Sequence, residues 1–113
     1  MDSEITMRQT PYLPHENLDC YRLAVEVARE VRGLDFPRGD SDLRNQLLRS
    51  SASVVLNIAE GVGQDGRTRL NHYRIAQGSA AESCAALDLL PSPKRDTLQN
   101  KLRRIHLMLR KLR

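Results

Sequence analysis

The strongest constraint on the fold is an apolar repeat near the C-terminus, with intervals of four and three residues. It comprises Leu98, Leu102, Ile105, Leu109 and Leu112. Because an α-helix turns through about 100° per residue, these intervals place all five side chains on one face. Ser92 is suited to cap this helix, and Pro93 is suited to its first position. The pattern predicts a helix over residues 93–112 with one face buried in a helical bundle.

Three earlier segments have the same helical period, and clusters of Gly, Pro and Asp separate them. We expect helices over about residues 16–32, 41–61 and 67–90, since no segment alternates as a strand would. A chain of 113 residues has room for one core, and short connections favour antiparallel neighbours. The sequence therefore predicts an all-α, up-down-up-down antiparallel four-helix bundle over residues 15–113, after an N-terminal tail over residues 1–14.

Composition and the N-terminus indicate a cytoplasmic protein with no membrane partner. No apolar run approaches the roughly 18 residues that a membrane span needs. The chain begins Met-Asp-Ser-Glu, which is acidic where a secretory signal would be basic. Cys20 and Cys84 fall in helical segments without the spacing of zinc ligands, so we expect reduced, buried thiols.

The residues that catalysis, a metal or a cofactor would need are not grouped in the sequence. Residues 61–66, Gly-Val-Gly-Gln-Asp-Gly, match the dinucleotide-binding fingerprint, but that motif requires a preceding β-strand. Here a helical segment precedes it, so the glycines predict a helix end and a turn. No histidine has another at metal-ligand spacing; the three are His15, His72 and His106. We expect no cofactor, no metal and no enzymatic activity.

The last 23 residues form a basic pole, with eight Lys or Arg against Asp96 alone. Six of these cations surround the side of the fourth helix that faces away from the apolar stripe: Lys101, Arg103, Arg104, Arg110, Lys111 and Arg113. They predict sequence-independent binding of nucleic-acid phosphates, because aromatic residues for base stacking are scarce. The alternative is a solvated helix face in a scaffold that binds another protein. A separate hypothesis concerns the glycine-rich segment: an anion held by Arg67 and Arg69 at the start of the third helix, which the charge of Asp65 opposes.

Apolar residues outside the main stripes predict self-association. The second helix carries an additional ridge, the first helix adds one valine, and a leucine lies within the basic face of the fourth. These interface candidates are Leu48, Val55, Val62, Val27 and Leu107. One stripe per helix is enough for a small bundle, so a second patch is better buried against another subunit. Isolated surface aliphatic residues remain the alternative.

A set of polar residues lies on the second and third helices. It comprises Arg49, Asn57, Glu60, Ser79 and Glu82. Half-buried polar groups must be hydrogen-bonded, and such networks fix the register of helices or subunits without a ligand. We expect Arg49 to pair with Glu60 or Glu82, either within the bundle or across an interface. Ligand binding by this set is left open.

Four motifs carry a family resemblance. They are His15-Glu16-Asn17-Leu18 with Tyr21 and Leu23-Ala24; residues 43–46 with Arg49; Asn57-Ile58-Ala59-Glu60-Gly61; and residues 76–82, Ala-Gln-Gly-Ser-Ala-Ala-Glu. Over about residues 13–90 the chain resembles the four-helix bundle proteins encoded within intervening sequences of bacterial 23S ribosomal RNA genes, also called S23 proteins. The resemblance implies a homopentameric ring. It also implies kinship with the accessory protein of diversity-generating retroelements, which binds nucleic acid, and so RNA or DNA as a partner.

Overall fold

The computed structural model describes residues 11–112 of the chain. A 3₁₀ turn over Pro14–Asn17 precedes four α-helices, with no strand in this range. The helices are α1 (Asp19–Arg32), α2 (Ser41–Val62), α3 (Gly66–Asp88) and α4 (Arg95–Lys111). The predicted all-α class with four helices is confirmed. Residues 1–10 of the predicted tail lie outside the described residues.

Each helix packs against the next one in the chain, and α1 also packs against α4. The side chain of Ser50 in α2 meets that of Ser83 in α3. Further along α2, Asn57 meets His72, which comes earlier in α3. The two longest helices are therefore antiparallel. The other connections are also short, and this favours antiparallel neighbours around the whole bundle.

One face of each helix supplies the core. The stripe on α4 is buried from Leu98 to Leu109, as its spacing predicts. The largest buried side chains of the other helices are Val27, Val31, Leu47, Val54, Ile58 and Leu87. Each fully buried aliphatic side chain contributes about 1.5–3 kcal/mol of transfer free energy. The hydrophobic effect thus explains why these helices, which are amphipathic in sequence, are held together.

Two helices begin later than their sequence patterns predict. The helix expected from about residue 16 begins at Asp19, because Leu18 is extended between the 3₁₀ turn and α1. Before α4, the hydroxyl of Ser92 accepts a hydrogen bond from the backbone N–H of Lys94 at 3.2 Å. This bond closes a turn that contains Pro93, so Pro93 precedes the helix instead of occupying its first position.

The glycine-rich segment joins α2 to α3. Gly61 lies within α2, where a Cβ atom would be 2.8 Å from Cε1 of Tyr73 and 3.0 Å from Cβ of His72. A larger residue would therefore push the two helices apart. Gly66 has a φ of 54°, a left-handed conformation that glycine adopts without strain. The segment is a helix end followed by a turn, as predicted.

Candidate nucleic-acid interface

The face of α4 that points away from the core is basic. Arg103, Arg104, Arg110 and Lys111 are all exposed. Residues seven apart on a helix differ by about 20° in direction, so these four form two neighbouring columns. Within residues 11–112 none of them lies within ion-pair distance of a carboxylate. Arg103 donates a hydrogen bond to the neutral side chain of Asn100 at 3.0 Å.

Lys101 differs from these four cations. Its Nζ lies 2.9 Å from Oε1 of Glu30 and 3.1 Å from Oε2 of Glu26, and its side chain is 21% exposed. The hydrogen bonds that Lys101 donates to the carboxylates of Glu30 and then Glu26 raise the pKa of Lys101. The ammonium joins α4 to α1 and its charge is already compensated. We therefore remove Lys101 from the predicted phosphate-binding set. Arg113, the last member, lies outside the described residues.

The remaining four cations can bind phosphates, but contacts with phosphates do not distinguish one base from another. Guanidinium groups form paired hydrogen bonds with phosphate oxygens. The C-terminal position of Arg110 and Lys111 also places these cations where the helix dipole favours positive charge. Leu107 lies between the two columns and is 54% exposed. The face is therefore suited to a polyanionic surface without sequence preference.

A chain of hydrogen bonds, which we call the polar seam, connects α2 and α3. The hydroxyl of Ser79 donates to Oγ of Ser53 at 2.8 Å, and Nδ2 of Asn57 donates to the same Oγ at 3.1 Å. Oδ1 of Asn57 lies 3.0 Å from Nδ1 of His72. A carboxylate oxygen of Glu60 lies 3.9 Å from this nitrogen. The structure thus brings Asn57, Glu60 and Ser79 together through Ser53 and His72.

Arg49 and Glu82, the other two members of the predicted set, are exposed and lie outside the seam. Among the described residues Arg49 forms no ion pair with Glu60 or Glu82. The predicted pairing is therefore wrong within the bundle, because Arg49 and Glu82 lie on outward faces and Glu60 lies beside His72. A pairing across an interface stays a prediction.

Sequence reasoning missed Ser50, Ser53, His72 and Ser83 as members of the seam. The hydroxyls of Ser50 and Ser83 meet at 2.7 Å inside the bundle, and Ser83 also donates to the carbonyl of Ser79 at 2.9 Å. The available signal was the helical spacing of the seam residues, with intervals of three and four along α2 and of seven and four along α3. In residues 11–112 every buried side-chain N or O atom has a partner. The seam is therefore satisfied without a ligand.

The anion site considered at the start of α3 is opposed by the contacts of Arg69. Its Nε donates to the carbonyl of Gln64 at 2.8 Å and its Nη2 donates to that of Val62 at 3.3 Å. Asp65 lies 3.9 Å from the same guanidinium. Arg69 thus satisfies one carbonyl at the C-terminal end of α2, where helix carbonyls lack intrahelical partners, and one in the turn that follows.

The described residues also place the thiols and the possible metal ligands. Burial raises the pKa of both Cys20 and Cys84, and both are free thiols. Cys20 is buried as expected, whereas Cys84 is half-buried between α3 and α4. No cluster of three or more potential metal ligands occurs in residues 11–112. Within the same range, no helix combines the length and hydropathy needed to cross a membrane.

The predicted interface residues have different surroundings. Val27 is 1% exposed and lies in the core, so its assignment to an interface is wrong. It follows Ala24 by three residues and precedes Val31 by four, which places all three on one buried face. Leu48, Val55 and Val62 are half-buried and pack against the core. Leu107 lies among the cations of α4.

Comparison with known protein families gives a match that spans the whole four-helix bundle. A family model for the 23S rRNA-intervening sequence protein matches residues 16–111, from just before α1 to the end of α4. No curated protein sequence matches this chain. The resemblance seen in the motifs of the first three helices is confirmed, and it extends to the fourth. The chain therefore belongs to the 23S rRNA-intervening sequence protein family.

Proposed function

We propose that this protein binds RNA through the exposed basic face of α4, without reading base sequence and without catalytic activity of its own. The observation that carries the proposal is the set of four exposed cations with no carboxylate partner in the described residues: Arg103, Arg104, Arg110 and Lys111. Membership of a family connected with ribosomal RNA genes makes RNA the first polyanion to test.

Counterion release supplies the free energy of such binding. Each phosphate that a Lys or Arg neutralises releases condensed cations, so the affinity falls steeply with salt. With four cations per protomer, the slope of log K against log salt is expected to be about −3 to −4. Lys101 does not add to this slope, because Glu26 and Glu30 already compensate its charge.

Self-association belongs to the same proposal. We propose a homo-oligomer in the cytoplasm, pentameric as the family resemblance implies, which presents several α4 faces to one RNA molecule. Several weak sites on one assembly bind more tightly than one site alone, provided that the nucleic acid can reach them together. DNA binds the same face through its phosphates.

Fluorescence anisotropy tests the proposal. Nuclease-treated protein is titrated with labelled structured RNA, single-stranded DNA and double-stranded DNA at low and physiological salt. Reversing the charge of Arg103 and Arg104 to Glu is expected to weaken binding by more than about tenfold, because neighbouring phosphates are then repelled. The control variant Arg38→Glu with Arg44→Glu makes the same change in net charge away from α4 and is expected to weaken binding much less.

The outcomes separate the two functional hypotheses. Saturable binding that weakens steeply with salt and depends on α4 supports the proposal. Equal losses in the two double variants would indicate attraction by net charge alone and would contradict a specific face. Absence of binding even at low salt would reject the proposal and leave the protein-binding scaffold.

A further inference from the structure

The two columns of cations on α4 run parallel to each other. Arg103 and Arg110 form one column, and Arg104 and Lys111 form the other. Within a column the two cations are about 10 Å apart along the helix axis, since seven residues rise by about 1.5 Å each. The columns point about 90° apart around α4, which separates their charged groups by roughly 10 Å. The four cations therefore occupy the corners of a nearly square surface.

The centre of this surface is apolar, and its outward face is free of acids toward the C-terminus. Leu107 lies between the columns and is 54% exposed. The residues from Asn100 to the end of the chain include no Asp or Glu. Asp96, near the start of α4, pairs with Arg95 at 3.2 Å. A polyanion that lies on the outward face of α4 thus meets four cations around one aliphatic side chain.

The basic surface is only one helix wide, because carboxylates lie in the hollows on both sides of α4. The hollow between α1 and α4 contains Asp19 and Glu26 beside Arg104. The hollow between α3 and α4 contains Asp88 beside Arg103. A phosphate chain that followed either hollow would meet these carboxylates. Phosphates are therefore favoured on the convex outward face of α4.

Neighbouring cations on α1 and α4 do not cancel this effect. Arg22 also lines the hollow between α1 and α4, but its guanidinium donates to the carbonyl of Glu16 at 3.1 Å. The carboxylates of Glu26 and Glu30 share the one ammonium group of Lys101, so a negative charge remains beside α4. The charge that attracts phosphates is thus concentrated on the two columns.

This shape distinguishes one strand of nucleic acid from two. Single strands are held in basic grooves, where their bases stack on aromatic side chains. The basic face of α4 is convex, and α4 contains no Phe, Tyr or Trp. One strand has one line of phosphates and contacts one column of cations at a time. A duplex has two lines of phosphates on either side of a groove, so both columns contact it together.

We propose that the basic face of α4 selects double-stranded RNA, with one column on the phosphates of each strand and Leu107 over the floor of the minor groove. The inference rests on the proposed function and names the form of RNA that the same face binds. A-form RNA has a wide, shallow minor groove, which a convex surface covers without entering it. The width of this groove is what two columns roughly 10 Å apart require.

Double-stranded DNA fits this surface less well. Its minor groove is only about 6 Å wide, so the two columns cannot lie on its two edges with Leu107 between them. Its major groove is about 8.5 Å deep and would have to admit the whole of α4. The helices α1 and α3 pack against α4 on both sides, and this packing limits such entry. DNA therefore binds through fewer phosphates than RNA of the same length.

Fluorescence anisotropy tests this selection with three probes that carry equal numbers of phosphates. They are an RNA duplex of mixed sequence, a DNA duplex of the same sequence, and oligouridine as the unpaired strand. At low salt the RNA duplex is expected to bind at least about tenfold more tightly than oligouridine and about threefold more tightly than the DNA duplex. The slope of log K against log salt should be about −3 to −4 for the RNA duplex and about −1.5 for oligouridine, which contacts one column.

Removal of one column provides a second measurement. Arg103→Met with Arg110→Met leaves the column of Arg104 and Lys111 intact. This variant is expected to bind the RNA duplex at least about tenfold more weakly, with a slope of about −2. Its affinity for oligouridine should fall by only about twofold, because the remaining column still accepts one strand. Circular dichroism verifies that the helical content is unchanged.

A matched control separates this effect from the loss of net charge. Arg38→Met with Arg44→Met removes two cations from exposed positions outside α4. It is expected to leave the preference for the RNA duplex over oligouridine unchanged. A control variant that lost this preference as fully as the column variant would overturn the assignment of the preference to α4.

The remaining outcomes separate this inference from the proposed function. Equal affinities and equal salt slopes for the RNA duplex and oligouridine would overturn the selection of a duplex, although RNA binding would stand. Equal affinities for the RNA and DNA duplexes would overturn the placement of α4 on an A-form minor groove. If none of the probes binds at low salt, the proposed function is rejected together with the inference that rests on it.

Discussion

Asn57 and His72 are joined across the polar seam by a 3.0 Å contact between Oδ1 and Nδ1. The amide nitrogen of Asn57 donates to the carbonyl of Ser53 at 2.9 Å and to its hydroxyl at 3.1 Å. Oδ1 is thereby left to accept, so the hydrogen-bond network assigns the proton to Nδ1 of His72. The asparagine thus uses both ends of its amide to connect α2 with α3.

Replacing Asn57 by alanine is expected to destabilise the bundle. The change leaves the ring nitrogen of His72 and the hydroxyl of Ser53 without one partner each, at a cost of about 1–3 kcal/mol in the free energy of unfolding. Urea denaturation followed by circular dichroism measures the loss. Asn71→Ala, at an exposed position of α3, is the control and should change stability by less than about 0.5 kcal/mol. Equal losses would show that the seam does not contribute specifically.

Gly61→Ala tests the close approach of α2 and α3. Its added methyl group would lie 2.8 Å from Cε1 of Tyr73, and such overpacking typically costs about 1–3 kcal/mol. The higher helix propensity of alanine offsets part of this cost. At Gly63 the nearest atom to an added Cβ is the carbonyl oxygen of Glu60 at 3.6 Å, so Gly63→Ala is the control. A Gly61→Ala variant as stable in urea as this control would contradict the tight contact.

Lys101→Met is expected to separate structural charge from binding charge. It removes the ammonium that lies between Glu26 and Glu30 and should lower the free energy of unfolding by about 1 kcal/mol or less, since the three side chains are partly exposed. RNA affinity should change little. Arg103→Met removes the same charge from the outward face of α4. It should weaken RNA binding and change the free energy of unfolding little. If Lys101→Met weakens RNA binding as much as Arg103→Met does, the distinction between a structural charge at Lys101 and a binding charge at Arg103 is wrong.

The Lys101 contribution should also depend on pH in one direction. Because Glu30 and Glu26 raise the pKa of Lys101 above its ordinary value of 10.5, its stabilising contribution is complete below that pH. The contribution is lost as the pH rises through the folded-state pKa. The stability difference between the unmodified chain and Lys101→Met is therefore expected to be constant from pH 7 to 9 and to shrink only as the pH rises beyond 10.5 and through the raised folded-state pKa. Urea titrations at each pH measure it; a difference that vanished near neutral pH would be inconsistent with this assignment.

Cys20 should react slowly with alkylating agents in the folded protein. The thiol is buried, and burial raises its pKa because the thiolate loses hydration. Iodoacetamide labelling at pH 8, followed by mass spectrometry, is expected to modify the half-buried Cys84 before Cys20. In 8 M urea the two should react at similar rates. Faster native labelling of Cys20 would contradict its place in the core.

Helical periodicity was sufficient to predict the four helices and the buried face of α4. The stripe from Leu98 to Leu109 needs only the geometry of one helix to be recognised. The first residue of each helix was harder to predict from the sequence. The turn around Pro93, for example, depends on a hydrogen bond from the backbone N–H of Lys94 to the hydroxyl of Ser92. The family motifs containing Asn57 and Ser79 identified polar residues of the seam. They did not reveal Ser53 or His72, which complete it from both helices.

Sequence by itself thus determined the all-α class, the family and which face of α4 is apolar, since all of these depend on the order of residues along one chain. Tertiary structure decided which charges remain available. Lys101 and Arg103 look alike in sequence, yet Lys101 meets two carboxylates of α1 while Arg103 points outward. Val27 likewise lies in the core because the other helices pack against its face of α1. The physical reason is that burial and charge compensation depend on neighbours from other helices, which helical periodicity does not specify.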